Sequence, residues 1–142
     1  MALTADGLEI TVPGSWIIEG EDRLSYTTIL RIVECCREHH WRRDVTAICD
    51  TPLDSILVTC EAVFHQPILA GSRVAVKYRV AAVGTKSYDL QFFVSSPGSA
   101  EDWATVRMRC VFLDPAARYS CIPPQTVANH LRAAIPRGKD HG

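Results

Sequence analysis

Between Tyr26 and about Arg43 the chain contains neither glycine nor proline. Ile29, Ile32, Val33, Cys36 and His40 recur there at helical spacing, and Leu30 and Trp41 widen the apolar arc. Thr27, Arg31, Glu34 and Glu38 leave only a narrow polar stripe at i, i+4, i+7 and i+11. A helix so apolar must be covered over most of its circumference, and a sheet is the simplest cover.

After Pro52 the period changes to two, the repeat of a strand with one buried face. Ile56, Val58, Cys60, Ala62 and Phe64 share one face of a strand that ends at Gln66-Pro67. Val74, Val76, Tyr78, Val80 and Ala82 share one face of the next, with Lys77 and Arg79 opposite. Gly84-Thr85-Lys86 is a hairpin-length turn into Tyr88, Leu90, Phe92 and Val94. Beyond Pro97-Gly98-Ser99, a further run carries Ala104, Val106, Met108, Cys110 and Phe112 against Thr105, Arg107 and Arg109. Ahead of the helix, Leu8 to Val12 reads as a short strand stopped by Pro13-Gly14. Residues 14–25 form a loop whose last member, Ser25, is suited to cap the helix. Pro123-Pro124 opens a short C-terminal helix through Val127, Ala128, Leu131 and Ala134. The fold class is therefore α+β: strand, loop, long central helix, a meander of long antiparallel strands, small helix. A single domain is expected over residues 1–142, with its core at about 8–134 and a polar tail at 137–142.

A chain of 142 residues has enough length for such a core without disulfides or metal. Its formal net charge of −1 lacks the basic excess of a duplex nucleic-acid binder. No apolar run reaches the roughly 18 residues of a membrane span, and the first residues show no secretory pattern. A cytoplasmic protein with no membrane or nucleic-acid partner is expected. The six cysteines, Cys35, Cys36, Cys49, Cys60, Cys110 and Cys121, contain no C-x-x-C and read as reduced, mostly buried thiols. Cys35/His39 and Cys36/His40 are i,i+4 pairs that point about 100° apart, so they do not close one tetrahedral site, and no metal is expected.

The element order resembles the hot-dog fold, and the local words resemble its 4-hydroxybenzoyl-CoA thioesterase family over roughly residues 8–134. Glu19 takes the place of the family's loop acid, Tyr26 that of the residue whose N–H starts the helix, and Glu34 that of the acid within the helix. Pro67-Ile68-Leu69-Ala70-Gly71-Ser72, Gly84-Thr85-Lys86-Ser87-Tyr88 and Arg118-Tyr119 before Ile122-Pro123 look like the family's linking turn, its basic-Ser-aromatic turn and its usual ending. The acidic loop departs from the family's Asp-x-x-Gly-His-x-x-Asn: Glu19 replaces Asp, and Asp22-Arg23 stands where Gly-His would be.

The resemblance implies hydrolysis of an acyl-CoA or acyl-carrier-protein thioester. That reaction needs a base or nucleophile at the carbonyl carbon and donors for the oxyanion. The first turn of a helix offers unpaired N–H groups at the positive end of the dipole, here at Tyr26 and Thr27. Glu19 either activates a water or attacks the carbonyl itself, with Asp22 competing for the role and Glu21 beside it. Glu34 is a catalytic acid or one member of a charged stripe with Arg31, Arg37 and Glu38. Lys86, with Ser87 and Arg79, is assigned to the phosphates of CoA. No cofactor is expected beyond the CoA or phosphopantetheine of the substrate.

Two other readings share the fold. A non-catalytic acyl-thioester binding protein would have lost the base. A dehydratase or hydratase would need a His beside the acid, whereas His39 and His40 lie at the far end of the helix. The long strands leave sheet edges that need cover, and a homodimer or homotetramer is expected.

Overall fold

The computed structural model describes residues 1–137. Residues 138–142 of the expected tail lie outside them. Six strands form one antiparallel sheet: β1 (Ala2–Thr4), β2 (Gly7–Thr11), β3 (Asp54–Phe64), β4 (Arg73–Val83), β5 (Ser87–Ser95) and β6 (Asp102–Leu113), in the order β1-β2-β4-β5-β6-β3. The helices are α1 (Tyr26–His40) and α2 (Gln125–Ala133). One sheet with one long helix inserted after its first hairpin is the hot-dog arrangement. The strand count is six rather than about five because residues 2–4 pair back on β2, Leu3 opposite Leu8.

By internal contacts the chain forms two compact units. The first comprises Met1–His40, Ala62–Tyr78 and Phe92–Val106. Here α1 buries Ile29, Ile32, Val33 and Cys36, the residues its spacing singles out, together with Val74, Val76, Phe92 and Val94. The Cys36 thiol donates to the Val76 carbonyl at 3.9 Å, and the fully buried His40 packs edge-on against Tyr78 at 5.0 Å. β2 lies so close to β4 that a Cβ on Gly7 would fall 1.8 Å from the Val76 oxygen, so only glycine fits there.

The second unit comprises Trp41–Glu61, Arg79–Gln91 and the described residues from Arg107 on. Its core holds Val45, Val80, Tyr88, Leu90, Met108, Cys110, Phe112, Val127 and Leu131, with Tyr88 stacked on Phe112 at 5.2 Å. The helical pattern expected to run to about Arg43 changes at Trp41 to a π-helical turn, Trp41–Val45. Arg42 and Arg43 stay in solvent there, while Val45 is fully buried and Trp41 lies 6.3 Å from Phe112.

Three expectations are corrected. The four long strands are not one meander, because β3 crosses over to lie beyond β6 instead of beside β4. The cysteines are outside disulfides but not mostly buried: Cys36 and Cys110 are buried, Cys49 and Cys121 are half-buried, and Cys35 and Cys60 are exposed. The apolar face of β3 is also uncovered, with Ile56 45% and Val58 48% exposed. β3 is the last strand of the sheet and has β6 as its one neighbour. It has the alternation of an interior strand at the position of an edge.

Candidate active site

The segment entering α1 is pinned from both sides. Ile17 pairs with Leu24 and Arg23 with Leu69. The Leu24 N–H donates to the Ile68 carbonyl at 2.8 Å, and the Ala70 N–H to the Asp22 carbonyl at 3.3 Å. Between these pairings the chain makes a tight turn. The Glu21 N–H donates to the Ile18 carbonyl at 2.9 Å, and Gly20 takes φ +83°. That is the third-position glycine of a type II turn. Glu19 occupies the second position, at the tip.

Ser25 caps the helix as expected. Its Oγ accepts the Thr28 N–H at 3.2 Å and lies 2.8 and 3.0 Å from the hydroxyls of Thr28 and Thr27. Its carbonyl accepts the N–H groups of Thr28 and Ile29, each at 3.1 Å. These bonds leave the N–H groups of Tyr26 and Thr27 without an acceptor among the described residues. The two N–H groups expected to hold an oxyanion are therefore open donors of the first turn. The Tyr26 ring lies 4.5 Å from Phe64 and takes the Arg23 guanidinium at 5.3 Å over its face.

The structure treats the candidate carboxylates differently. Glu19 and Asp22 are exposed, and neither carboxylate has a partner among the described residues. Glu21 lies 3.6 Å from Arg23. Glu34 is half-buried and held in a fork by Arg37, whose Nε and Nη2 donate at 2.8 and 2.6 Å. It stands eight residues past Tyr26, about 12 Å along the helix axis at 1.5 Å per residue, so the structure does not bring it to the free N–H groups.

The residues assigned to phosphates lie in the second unit. Lys86 is exposed at the turn between β4 and β5, and its ammonium has no hydrogen bond among the described residues. The turn is fixed by the Gly84 N–H on the Ser87 carbonyl at 2.7 Å and the Phe112 N–H on the Lys86 carbonyl at 2.9 Å. Arg79 is already engaged, donating twice to Gln91 Oε1 at 3.2 and 2.8 Å. Cys121 lies near this turn. Burial and then Asp114 push its thiol above the ordinary range, and Lys86 partly offsets them.

One charged cluster escaped the sequence reading. On β5, Asp89 is 5% exposed and receives Arg109 at 2.8 and 3.2 Å and Arg107 at 2.9 and 3.3 Å. The signal was present as two arginines on the outward face of β6 and an acid at the outward register of β5. The Arg109 hydrogen bond, helped by Arg107, holds the Asp89 carboxyl below the usual carboxylate value against the opposing effect of burial. Its contribution to stability is thus present above the ordinary Asp pKa of 3.8 and is lost as pH falls through the lower folded value. Asp89→Ala is expected to cost about 1–2 kcal/mol at pH 7, a charge-assisted value discounted for half-exposed arginines. Urea midpoints of the two proteins should converge well below pH 4; a gap that persists there would remove the ion pair as its cause.

Among the described residues no His/Cys/Asp/Glu group is arranged to hold a metal, and no helix is long and apolar enough to cross a membrane.

A family model described as the thioesterase-like superfamily matches residues 24–135. Several solved structures share the fold at low identity. A thioesterase from Thermus thermophilus, complexed with coenzyme A and Zn, superposes with a TM-score of 0.76 at 19% identity, covering 94% of this chain and 96% of that one. A Staphylococcus aureus protein in complex with CoA gives 0.79 at 11% identity, over 99% and 92%. A 1,4-dihydroxy-2-naphthoyl-CoA thioesterase from Synechocystis gives 0.72 at 15% identity, over 89% and 95%. No curated protein matches in sequence.

Proposed function

The chain belongs to the thioesterase-like superfamily, and from that premise we propose that it hydrolyses the thioester of an acyl-CoA or an acyl carrier protein. One observation carries the reading: the Ser25 cap satisfies Thr28 and Ile29 and leaves the Tyr26 and Thr27 N–H groups open at the positive end of α1. A thioester carbonyl oxygen seated there gains stabilisation as it becomes an oxyanion. Glu19, unpaired at its turn, takes a proton from water as the water oxygen bonds to the carbonyl carbon. Collapse of the tetrahedral intermediate breaks the C–S bond, and the proton passes to the leaving sulfur, giving an acid and a thiol. Direct attack by Glu19, with water opening the resulting anhydride, uses the same groups. Lys86 supplies the free cation for the CoA phosphates, with Ser87 beside it, while Arg79 reaches them only by leaving Gln91. The CoA bound in the Thermus and Staphylococcus proteins supports this choice of substrate handle.

The non-catalytic reading draws on one feature, the commitment of Glu34 to Arg37. Thiol release measured across matched acyl-CoA and acyl-carrier-protein panels tests the proposal. Turnover of either class supports it, and a preference fixes the handle.

The exposed edge of β3 supports a homo-oligomer. A strand with one paired edge and exposed Ile56, Leu57, Val58 and Val63 is suited to pairing with a second copy. Light scattering should give at least twice the 15.7 kDa chain mass. Val58→Lys should shift the protein toward monomer. A wild-type monomer at micromolar concentration contradicts this assembly.

A further inference from the structure

In the first unit a cavity of about 890 Å3 opens beside α1, at the end of β2. Ile10, Pro13, Trp16 and Ile32 give it apolar walls, and Arg31 and Cys35 stand on its helix side. The volume falls within the roughly 300–1,000 Å3 of small-molecule sites. Arg31 brings a full positive charge to it; apart from Met1, which carries the N-terminal ammonium, the other lining residues are apolar or neutral. The guanidinium makes no hydrogen bond or ion pair with any described residue. Glu34, its i+3 neighbour and natural partner, is taken by Arg37. An unopposed guanidinium at an apolar cavity calls for a ligand with a hydrocarbon body and an anionic end. A carboxylate matches its planar fork with two parallel hydrogen bonds.

We propose that this cavity binds an apolar carboxylate, with the hydrocarbon against Ile10, Trp16 and Ile32 and the carboxylate on Arg31. Taken with the thioesterase reading, on which this step rests, the ligand is an acyl group with a carboxylate at its far end, the half-thioester of a dicarboxylic acid. Thr28 lines the cavity and directly follows the free N–H groups of Tyr26 and Thr27. Arg31 lies four residues past Thr27, about 6 Å further along the axis. A thioester carbonyl at the helix start therefore directs its acyl chain along the face that carries Arg31.

Calorimetric titration with decanoate and with decanol tests the site without any catalysis. Decanoate should bind wild type about tenfold tighter, the low end for a charge-assisted pair because Arg31 is exposed. Arg31→Met should bring decanoate to the level of decanol, and Arg31→Lys should restore part of the preference. Equal affinities in wild type, no binding of either probe, or a preference that survives Arg31→Met overturns the site. In a second arm, kcat/KM for the CoA half-thioester of suberic acid should exceed that for octanoyl-CoA in wild type and not in Arg31→Met. Decanoate selectivity without this ratio overturns the acyl assignment and leaves a site for a free carboxylate. Decanoate selectivity in a protein that hydrolyses no thioester leaves the carboxylate site standing and removes the thioesterase reading.

Discussion

Glu19→Gln should lower kcat by about 10²–10⁴, the range for a lost general base, with acyl-CoA binding nearly unchanged. The amide is almost isosteric with the carboxylate, and Glu19 has no partner among the described residues whose loss would disturb the turn. The Ile18–Glu21 hydrogen bond and the positive φ of Gly20 are backbone features and should survive the change. A stable Glu19→Gln protein is therefore expected, so a fall in kcat reports chemistry. Near-normal turnover moves the role to Asp22, the other unpaired acid of the loop, and Asp22→Asn should then show the loss.

Tyr26→Pro should lower kcat by about 10²–10³ relative to Tyr26→Ala, the usual worth of one oxyanion donor. Both variants lose the ring that packs on Phe64 and carries Arg23. Only proline also removes the N–H. Directly after the Ser25 cap, proline fits the first helical position, and the N–H it deletes bonds to nothing within the helix. Thr27 is the poorer site for the same test, because proline there disfavours the helical conformation of Tyr26. Equal activity in the proline and alanine variants would assign the oxyanion to Thr27 alone. A collapse in Tyr26→Phe would show that the phenol takes part directly.

The main elements were legible because their periods differ. The interior strands alternate over much of their length, and the residues of α1 chosen by helical spacing are the ones it buries. β1 was not legible, since three residues, Ala2–Thr4, are too short to show a period. The exposure of Ile56 and Val58 was hidden for another reason. Alternation records which side chains share a face, and what covers that face depends on strand order. The π-helical turn left no mark because its apolar members, Trp41 and Val45, are four apart, as in an α-helix. At the site, the Ser25 cap and the two free N–H groups followed from local rules that hold for any helix start. The Glu34–Arg37 fork was likewise within reach of i,i+3 spacing. Asp89 with Arg107 and Arg109 was not, since it needs β5 and β6 as neighbours.

Whether this helix terminus and loop acid cleave a thioester is decided by the thiol released from an acyl-CoA panel, followed beside the acid formed. Wild type should release thiol and acid in equal amounts, well above the spontaneous rate, and Glu19→Gln and Tyr26→Pro should fall toward that rate. Tight CoA-thioester binding with no thiol released by wild type across the panel would contradict hydrolysis and leave a binding protein on a hot-dog frame.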